Sequence, residues 1–508
     1  MTTVMLLQSM APSVNYQIPL GLAYVAAALE QKGCEVRVID ASAPYANYSL
    51  SDMVREVRAF EPSFIGVSIL VTWASYSYRV MRNLKEEVGL PIVAGGPHAS
   101  AMPAEALENG ADIAVVGEGE YVVQELVDYF DGKVRLEDVK GIVYRNPKGE
   151  VVWNQPRGPI MDLDALPLPA KHLFRRDDYM RTPGEVVKYR HILTSRGCPY
   201  PCTYCAKPAL GSEYRYRSPQ NIREEIEHLQ RTYGLNTFFL VDDNFLVRRD
   251  RVMEFCRLLK ERHPGIKWRA IGRLDLINRE LLETMKAAGC IHLNYGVESG
   301  SAKTLKRARR GYTPGEAERA LRLTKEVGIP CDVNFMYGFP WETSEDIRTT
   351  VSFIQRIAPL VETIAPGGLL EPIVGTKIYE EYKDRYDFEQ YWLQAPSQSH
   401  GREQVRPAFH DRFFVRSHNL DKNFFDYTPE TKREIHRATR LIGRLRLDHY
   451  ARRLTSHRLL KPIVREAMYA MVCVSRLLDR LDPRVERLVF RPLMYFGERF
   501  QSTEAVAG

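Results

Sequence analysis

Long uncharged stretches are missing from this 508-residue chain. No window approaches the roughly 18 apolar residues that a membrane-crossing helix needs, so no spanning segment is expected. The start of the chain lacks the basic, apolar and small-residue succession of a secretory signal. Cysteine is sparse, at 8 residues. Five of them (Cys34, Cys256, Cys290, Cys331 and Cys473) stand alone, which argues against a disulfide framework and for a reducing compartment, so a cytoplasmic location is expected. No Ser-His-Asp order, Walker loop or zinc-protease helix is present, and hydrolytic or phosphoryl-transfer readings have no support. Excess charge is also missing from most of the chain. Residues 431–508 hold 17 Lys and Arg against 8 Asp and Glu, so this tail carries +9 of a net +7 and everything before it −2.

What is present is concentrated in Cys198-Pro-Tyr-Pro-Cys202-Thr-Tyr204-Cys205, three thiols within eight residues. Thiolates at this density select zinc or an iron–sulfur cluster over hard cations. A structural zinc site closes with four ligands, commonly from two short pairs far apart, and no second pair exists here. The C-x3-C-x2-C spacing with an aromatic before the last Cys resembles the signature of the radical S-adenosylmethionine (SAM) superfamily. That resemblance implies that Cys198, Cys202 and Cys205 hold three irons of a [4Fe-4S] cluster, that the fourth iron stays open for SAM, and that Tyr204 lies beside the adenine.

The length makes two or three domains the expectation. Upstream of the thiols, strands at 3–7, 35–39, 64–67, 91–94 and 112–116 alternate with helical runs, the first an amphipathic helix over 20–31. Strict alternation gives a doubly wound, Rossmann-like parallel sheet whose ligands bind outside the carboxyl ends of its strands. Those ends carry Ser68 and Leu70, then Gly95-Gly96-Pro97-His98, then Gly117-Glu118-Gly119-Glu120. Generic turn glycines would read the same way. Beside the Cys motif, however, the arrangement resembles the cobalamin-binding domain of B12-dependent radical SAM proteins. The resemblance makes Ser68, Leu70, Gly95, Gly96, His98, Gly117 and Glu118 the expected cobalamin contacts, with His98 meeting the nucleotide tail. A second reading makes His98 a partly exposed loop residue. The Asp-x-His-x-x-Gly element that supplies an axial histidine elsewhere is absent from 8–19, so base-off cobalamin is expected.

A connector over 136–188 carries a hairpin signal around Asn146-Pro-Lys-Gly149 and a stiff segment, Leu166-Pro-Leu-Pro-Ala170, to which only covalent linkage is assigned. From 189 to 376 six strand–helix units follow, as in the partial (β/α)6 barrel of radical SAM enzymes, with chemistry at the carboxyl ends of the strands. SAM demands both carboxylate and guanidinium partners. The resemblance gives Glu298 the ribose or amino acid moiety, and Asp243 and Arg273 are the expected partners of the amino and carboxylate groups. Residues 377–508 form an aromatic, then basic helical extension. Its basic amphipathic helices suit either a solvated face or peripheral membrane contact, and no nucleic-acid module is visible.

The expected function is a cobalamin-dependent radical SAM enzyme methylating an unactivated carbon of a secondary metabolite or lipid-like small molecule. Reduction would come from an external donor such as flavodoxin or ferredoxin. The alternative is a non-methylating relative resembling the anaerobic porphyrin-ring cyclases. A tRNA methylthiotransferase would need cluster cysteines in its N-terminal domain, which holds only Cys34, and a corrinoid sensor would have no use for the Cys198 motif.

Overall fold

The computed structural model describes residues 2–9, 17–179, 190–207, 210–365, 367–386, 388, 391–393, 422–454, 461–481 and 489–490. The first five strands, β1 (Thr3–Gln8), β2 (Glu35–Asp40), β3 (Phe64–Ser68), β4 (Ile92–Gly95) and β5 (Ile113–Val115), are parallel and lie in the order β2-β1-β3-β4-β5. That order reverses direction between β1 and β3, which opens a crevice at the carboxyl edge of the sheet. The hairpin expected in the connector, β6 (Ile142–Arg145) and β7 (Val151–Trp153), pairs antiparallel with β5 and extends this sheet to seven strands.

Helices α1 (Leu20–Gln31), α2 (Leu50–Phe60), α3 (Ala74–Val88), α4 (Pro97–Ala101), α5 (Pro103–Glu108) and α6 (Glu120–Phe130) connect the strands. Ser49 and Asp52 close α2 with a reciprocal capping box, which satisfies two otherwise orphaned amides. The helix α1 departs from the amphipathic expectation: Leu22, Ala23, Tyr24 and every residue from Ala26 to Leu29 are buried. Its outer face is covered from the rest of the chain, because Ala170 N donates to Ala23 O (3.0 Å) and the Arg196 guanidinium lies 5.0 Å from the Tyr24 ring.

The connector therefore does more than link. The short α7 (Arg176–Tyr179) ends on Tyr179, whose hydroxyl donates to buried Asp40. Burial pushes the Asp40 carboxyl up to about 6, against the hydrogen bonds from Ser42 and Tyr179. Lys171, also buried, donates to His191 O (2.8 Å) and Glu225 Oε1 (2.9 Å). Phe174 and Tyr179 share one apolar core with both sheets.

The second sheet is parallel throughout, in the order β8 (His191–Ile192), β11 (Thr237–Leu240), β12 (Lys267–Gly272), β13 (Cys290–Glu298), β14 (Cys331–Tyr337), β15 (Thr363–Ile364), with β16 (Gly368–Leu369) also on β14. Between β8 and β11 a two-residue ladder, β9 (Ser195–Arg196) with β10 (Arg215–Tyr216), stands apart. Helices α8 (Pro219–Tyr233), α9 (Arg249–Arg262), α10 (Arg279–Ala287), α11 (Ala302–Arg307), α12 (Pro314–Val327) and α13 (Ser344–Ile357) cover the sheet. Their starts are written in the sequence: Thr313 with Glu316 and Thr343 with Asp346 form capping boxes. This is the expected α/β barrel, with its last strand split in two.

Beyond it lie α14 (Lys377–Tyr382), α15 (Pro429–Leu454) and α16 (Lys461–Leu481). Tyr379, Tyr382, Tyr386, Phe388, Tyr391, Trp392, Phe424 and Phe425 join a second apolar core with the first domain, so this aromatic segment is packing. Phe409, Phe413 and Phe414 lie outside the described residues. Among the described residues no helix is long and apolar enough to cross a membrane.

Trp268 anchors the barrel core. It is fully buried, donates through Nε1 to Ala288 O (2.9 Å), and meets Phe245 and Phe255 edge-on at 5.7 and 5.4 Å. Trp268→Ala removes this packing and leaves a cavity, so it is expected to cost about 3–5 kcal/mol, read as a lower urea midpoint.

Candidate active site

The thiol loop lies between β9 and β10 at the carboxyl end of β8. It is pinned to the barrel by Thr203, whose amide donates to Ala308 O (3.2 Å) and whose carbonyl accepts from Ile378 N (3.0 Å). Lys207 Nζ donates to Tyr200 O (2.6 Å) and Cys198 O, closing the loop on itself. Cys198 and Cys202 are half-buried and Cys205 is exposed. Burial raises the Cys198 thiol above its ordinary value.

Two guanidinium groups converge on Cys202. Arg273 Nη1 lies 3.6 Å and Arg310 Nη1 3.5 Å from its Sγ. Arg273 follows β12, is gripped by Asp275 through two bonds of 3.0 and 2.9 Å, and stacks on Tyr200 at 3.8 Å. Arg310 follows α11 and donates to Gly296 O and to Tyr312 Oη (2.9 Å).

Glu298 ends β13 in a left-handed conformation, φ 72°, where the ladder to β14 skips a residue. The bulge turns its carboxylate over Gly296, a position where an added Cβ would collide with it, and brings it 3.9 Å from Arg310 Nη2. Burial raises its carboxyl, against the pull of Arg310 and the Tyr204 hydroxyl. Tyr204 meets Phe339 edge-on at 5.7 Å. Asp243 lies on the exposed rim after β11. Its neighbour Asp242 is fully buried and accepts from the amides of Thr194 (2.6 Å) and Ser195 (3.1 Å), a purely architectural task.

Cys198, Cys202, Cys205, Tyr204, Arg273 and Glu298 are thus brought to one end of the barrel, with Asp243 at its edge. Arg310 and Tyr312 escaped the sequence reading. They lie on a loop after a helix, whereas attention fell on strand ends, although the pair Arg309-Arg310 before Gly311 was a legible cationic signal.

At the first sheet, Ser68, Leu70, Gly95, Gly96 and Gly117 line the carboxyl edge. Gly96 has φ 93°, and a Cβ there would stand 3.0 Å from Ile69 O, so only glycine fits. Gly95 faces open space. Ser100, another residue missed in the sequence, joins the two turns: its hydroxyl donates to Gly96 O (2.9 Å) and accepts from Gly117 N (3.0 Å).

Two of the expected cobalamin contacts have buried, partnered side chains. His98 is not a loop residue but sits in α4, 1 % exposed, with Nε2 3.0 Å from Glu105 Oε1 and the Trp392 ring 5.5 Å away. Its side chain turns inward because Glu105 gathers three partners at once, Tyr78 (2.7 Å), His98 and Trp392 (3.1 Å). Glu118 is likewise buried, and its carboxylate is committed to Arg196 and Arg215 of the barrel domain. The segment where an axial histidine was sought falls largely outside the described residues.

The donor set suits an iron–sulfur cluster: three soft thiols on one loop with cationic support. Among the described residues no three His, Cys, Asp or Glu side chains are drawn around a single point. A cubane, however, takes one thiolate at each of three separate irons, so the fit rests on the donor set.

Residues 192–354 match the radical SAM superfamily, and residues 10–127 match the B12 binding domain. The chain is 30% identical over 393 residues to the anaerobic magnesium-protoporphyrin IX monomethyl ester cyclase of Rubrivivax gelatinosus, covering 74% of this chain and 69% of that protein. This chain belongs to the cobalamin-dependent radical SAM superfamily. It is also 29% identical over 368 residues to an uncharacterised methyltransferase of Pyrococcus horikoshii, covering 71% of this chain and 78% of the relative. The fold is that of the radical SAM methyltransferase TsrM from Kitasatospora setae, solved with cobalamin and a [4Fe-4S] cluster bound. The TM-score is 0.62 at 21% identity, over 76% of this chain and 78% of that one.

In this radical SAM chain the carboxyl end of β14 carries one further titratable group. Glu342 is buried and accepts from the amides of Gly338 (2.8 Å) and Phe339 (3.2 Å), the latter residue packing on Tyr204. Burial outweighs those bonds and pushes its carboxyl from 4.5 up to about 8. An acid whose folded value is raised contributes stability that is complete below its unfolded value and is lost as pH climbs through the folded one. The wild type is therefore expected to lose a few kcal/mol between pH about 4.5 and about 8, and Glu342→Gln to show a flatter profile. Urea midpoints measured across that range would reveal it, and parallel profiles would refute it.

Proposed function

We propose that this cobalamin-dependent radical SAM enzyme methylates an unactivated carbon of a secondary metabolite or lipid-like small molecule. The observation that carries the reading is the meeting of the two carboxyl edges. Ile69, Ala99 and Met102 from the first sheet's edge share one apolar cluster with Tyr204, Phe339 and Leu370 from the barrel's. Chemistry that needs groups from both domains requires this proximity.

Cys198, Cys202 and Cys205 are assigned to the cluster. Glu298, Arg273, Asp243 and Tyr204 are assigned to SAM, and Arg310 adds a second cationic partner for its carboxylate. Ser68, Leu70, Gly95, Gly96 and Gly117 are assigned to cobalamin. When bound, these groups supply hydrogen-atom abstraction and methyl donation. The chain's own residues orient them: the carboxylate and guanidinium groups match opposite charges on one ligand, and the aromatic wall of Phe339 and Trp341, stacked at 5.3 Å, excludes water. Reducing equivalents come from a flavodoxin- or ferredoxin-like donor, and Cys205, the exposed thiol, marks the side of approach.

A cyclase-like reaction is the second reading, favoured by the 30% identity to the porphyrin-ring cyclase. Anaerobic reconstitution with iron, sulfide, cobalamin, SAM and reductant separates the two. Methylation yields both 5′-deoxyadenosine and S-adenosylhomocysteine; deoxyadenosine alone points to the cyclase-like reaction. Cys202→Ala is expected to lose bound iron and to lower deoxyadenosine formation by at least about 10³-fold, as loss of a cofactor ligand does.

Peripheral membrane contact through the C-terminal extension is proposed on two features. The helix α16 exposes Ile463 (64 %), Val474 (47 %) and Leu477 (58 %), spaced by helical turns, within the basic tail. A truncation at Thr431 is expected to lose sedimentation with anionic liposomes. Equal sedimentation of both forms would remove the membrane from this proposal.

A further inference from the structure

The loop carrying Cys198, Cys202 and Cys205 has two stems, β9 and β10, and each turns an arginine toward one carboxylate. Arg196 Nη1 lies 2.6 Å from Glu118 Oε1, and Arg215 Nη1 lies 2.5 Å from Glu118 Oε2. The three side chains are all 5 % exposed or less. Glu118 belongs to the other domain, in the turn after β5. Further bonds surround this triangle: Arg196 Nη2 donates to Glu120 Oε1 (2.6 Å), Ile160 N donates to Glu118 Oε2 (2.7 Å), and Arg215 donates to the carbonyls of Ile160 (2.7 Å) and Leu210 (2.8 Å), while Arg215 Nε is buried without a partner among the described residues.

One residue before Glu118, Gly117 N donates to Ser100 Oγ, which donates in turn to Gly96 O. Hydrogen bonds and chain thus run from the Gly96 turn of the first domain to Arg196, two residues before Cys198. The stems themselves are weak. A two-residue ladder is marginal without further support; the barrel supplies part of it through Asp242, which accepts from Ser195 N, and the first domain supplies the rest.

We infer that Glu118 is a positioning residue, a clamp in the first domain that fixes both ends of the thiol loop and sets its place relative to the Ser68, Gly96 and Gly117 turns. This deepens the reading above, on which those turns hold cobalamin and the loop holds the cluster. A single carboxylate suits the task because its two oxygens accept from two arginines at once, which sets the separation of the stems as well as their direction. A glutamine cannot do so: its amide nitrogen would face a guanidinium, donor against donor.

Hydrogen exchange on the full-length, cofactor-free chain tests the clamp without any loaded enzyme. In Glu118→Gln, amides of residues 197–207 are expected to exchange at least about 10-fold faster, while those of β11 to β14 stay within about 2-fold of wild type. Arg196→Lys, which keeps the charge but loses the fork, is expected to show the same local pattern more weakly, and it serves where the glutamine variant does not accumulate. Unchanged exchange over 197–207, or a rise spread evenly along the chain, overturns the clamp. In the reconstituted protein, the magnetic coupling between reduced cluster and cob(II)alamin is expected to broaden in Glu118→Gln at equal iron and cobalamin content. A wild type that binds no cobalamin would sink the proposed function, whereas the exchange result would still decide the clamp.

Discussion

Parallel strands offer ligands at one edge only, their carboxyl ends, and this chain has two sheets built on such strands. A reaction that draws on both must fold the second sheet back until its edge faces the first. That constraint explains the connector. Lys171, Phe174 and Tyr179 are buried between the domains, and the first helix gives up the polar face that a solvent-exposed α1 would keep. The two domains consequently share one continuous apolar core on the α1 side and a second at the facing edges.

Apolar contact favours closeness but does little to select register, since oily surfaces slide over one another at small cost. Direction comes from the buried ion pairs: Glu118 and Glu120 with Arg196 and Arg215, and Glu225 with Lys171 and Arg217. Removing two charges from water costs several kcal/mol per ion, so these pairs add little net stability. Breaking one leaves an uncompensated charge, and every misaligned docking would do that. The seam therefore acts against alternatives more than for the native state.

Much of this was legible in the sequence. The strand–helix alternation, the glycine turns and the thiol loop carried the two α/β units, because each is a local pattern. What the sequence did not show were relations between distant segments. Glu118 sits in a turn that suits a cofactor, and only the packed structure shows its carboxylate bound to arginines 78 and 97 residues away. His98 looked like a loop residue because Gly95-Gly96-Pro97 reads as a turn. Pro97 instead takes the first position of α4, and Trp392, nearly 300 residues on, completes its surroundings. Arg310 was passed over for the same reason: its proximity to Cys202 depends on how α11 returns its following loop to the barrel mouth.

Glu298 shows how the barrel makes room for a charged group at the end of a buried strand. An extended residue there would point its side chain either into the core or out between helices. The bulge at 296–298 and the left-handed backbone instead fold the carboxylate back over Gly296, within reach of Arg310 and Tyr204. Such a backbone costs on the order of 1–3 kcal/mol in a residue other than glycine, and it persists only where its surroundings over-determine it. Here they do: Ser299 and Gly300 are tied to Thr350, and Ser301 to Asp346, each at 3.0 Å or less. The strain lies in the backbone while the restraint comes from α13. A substitution on that helix can therefore disturb the Glu298 carboxylate without touching it, and a glycine at 298 would relieve the strain only by discarding the group it serves.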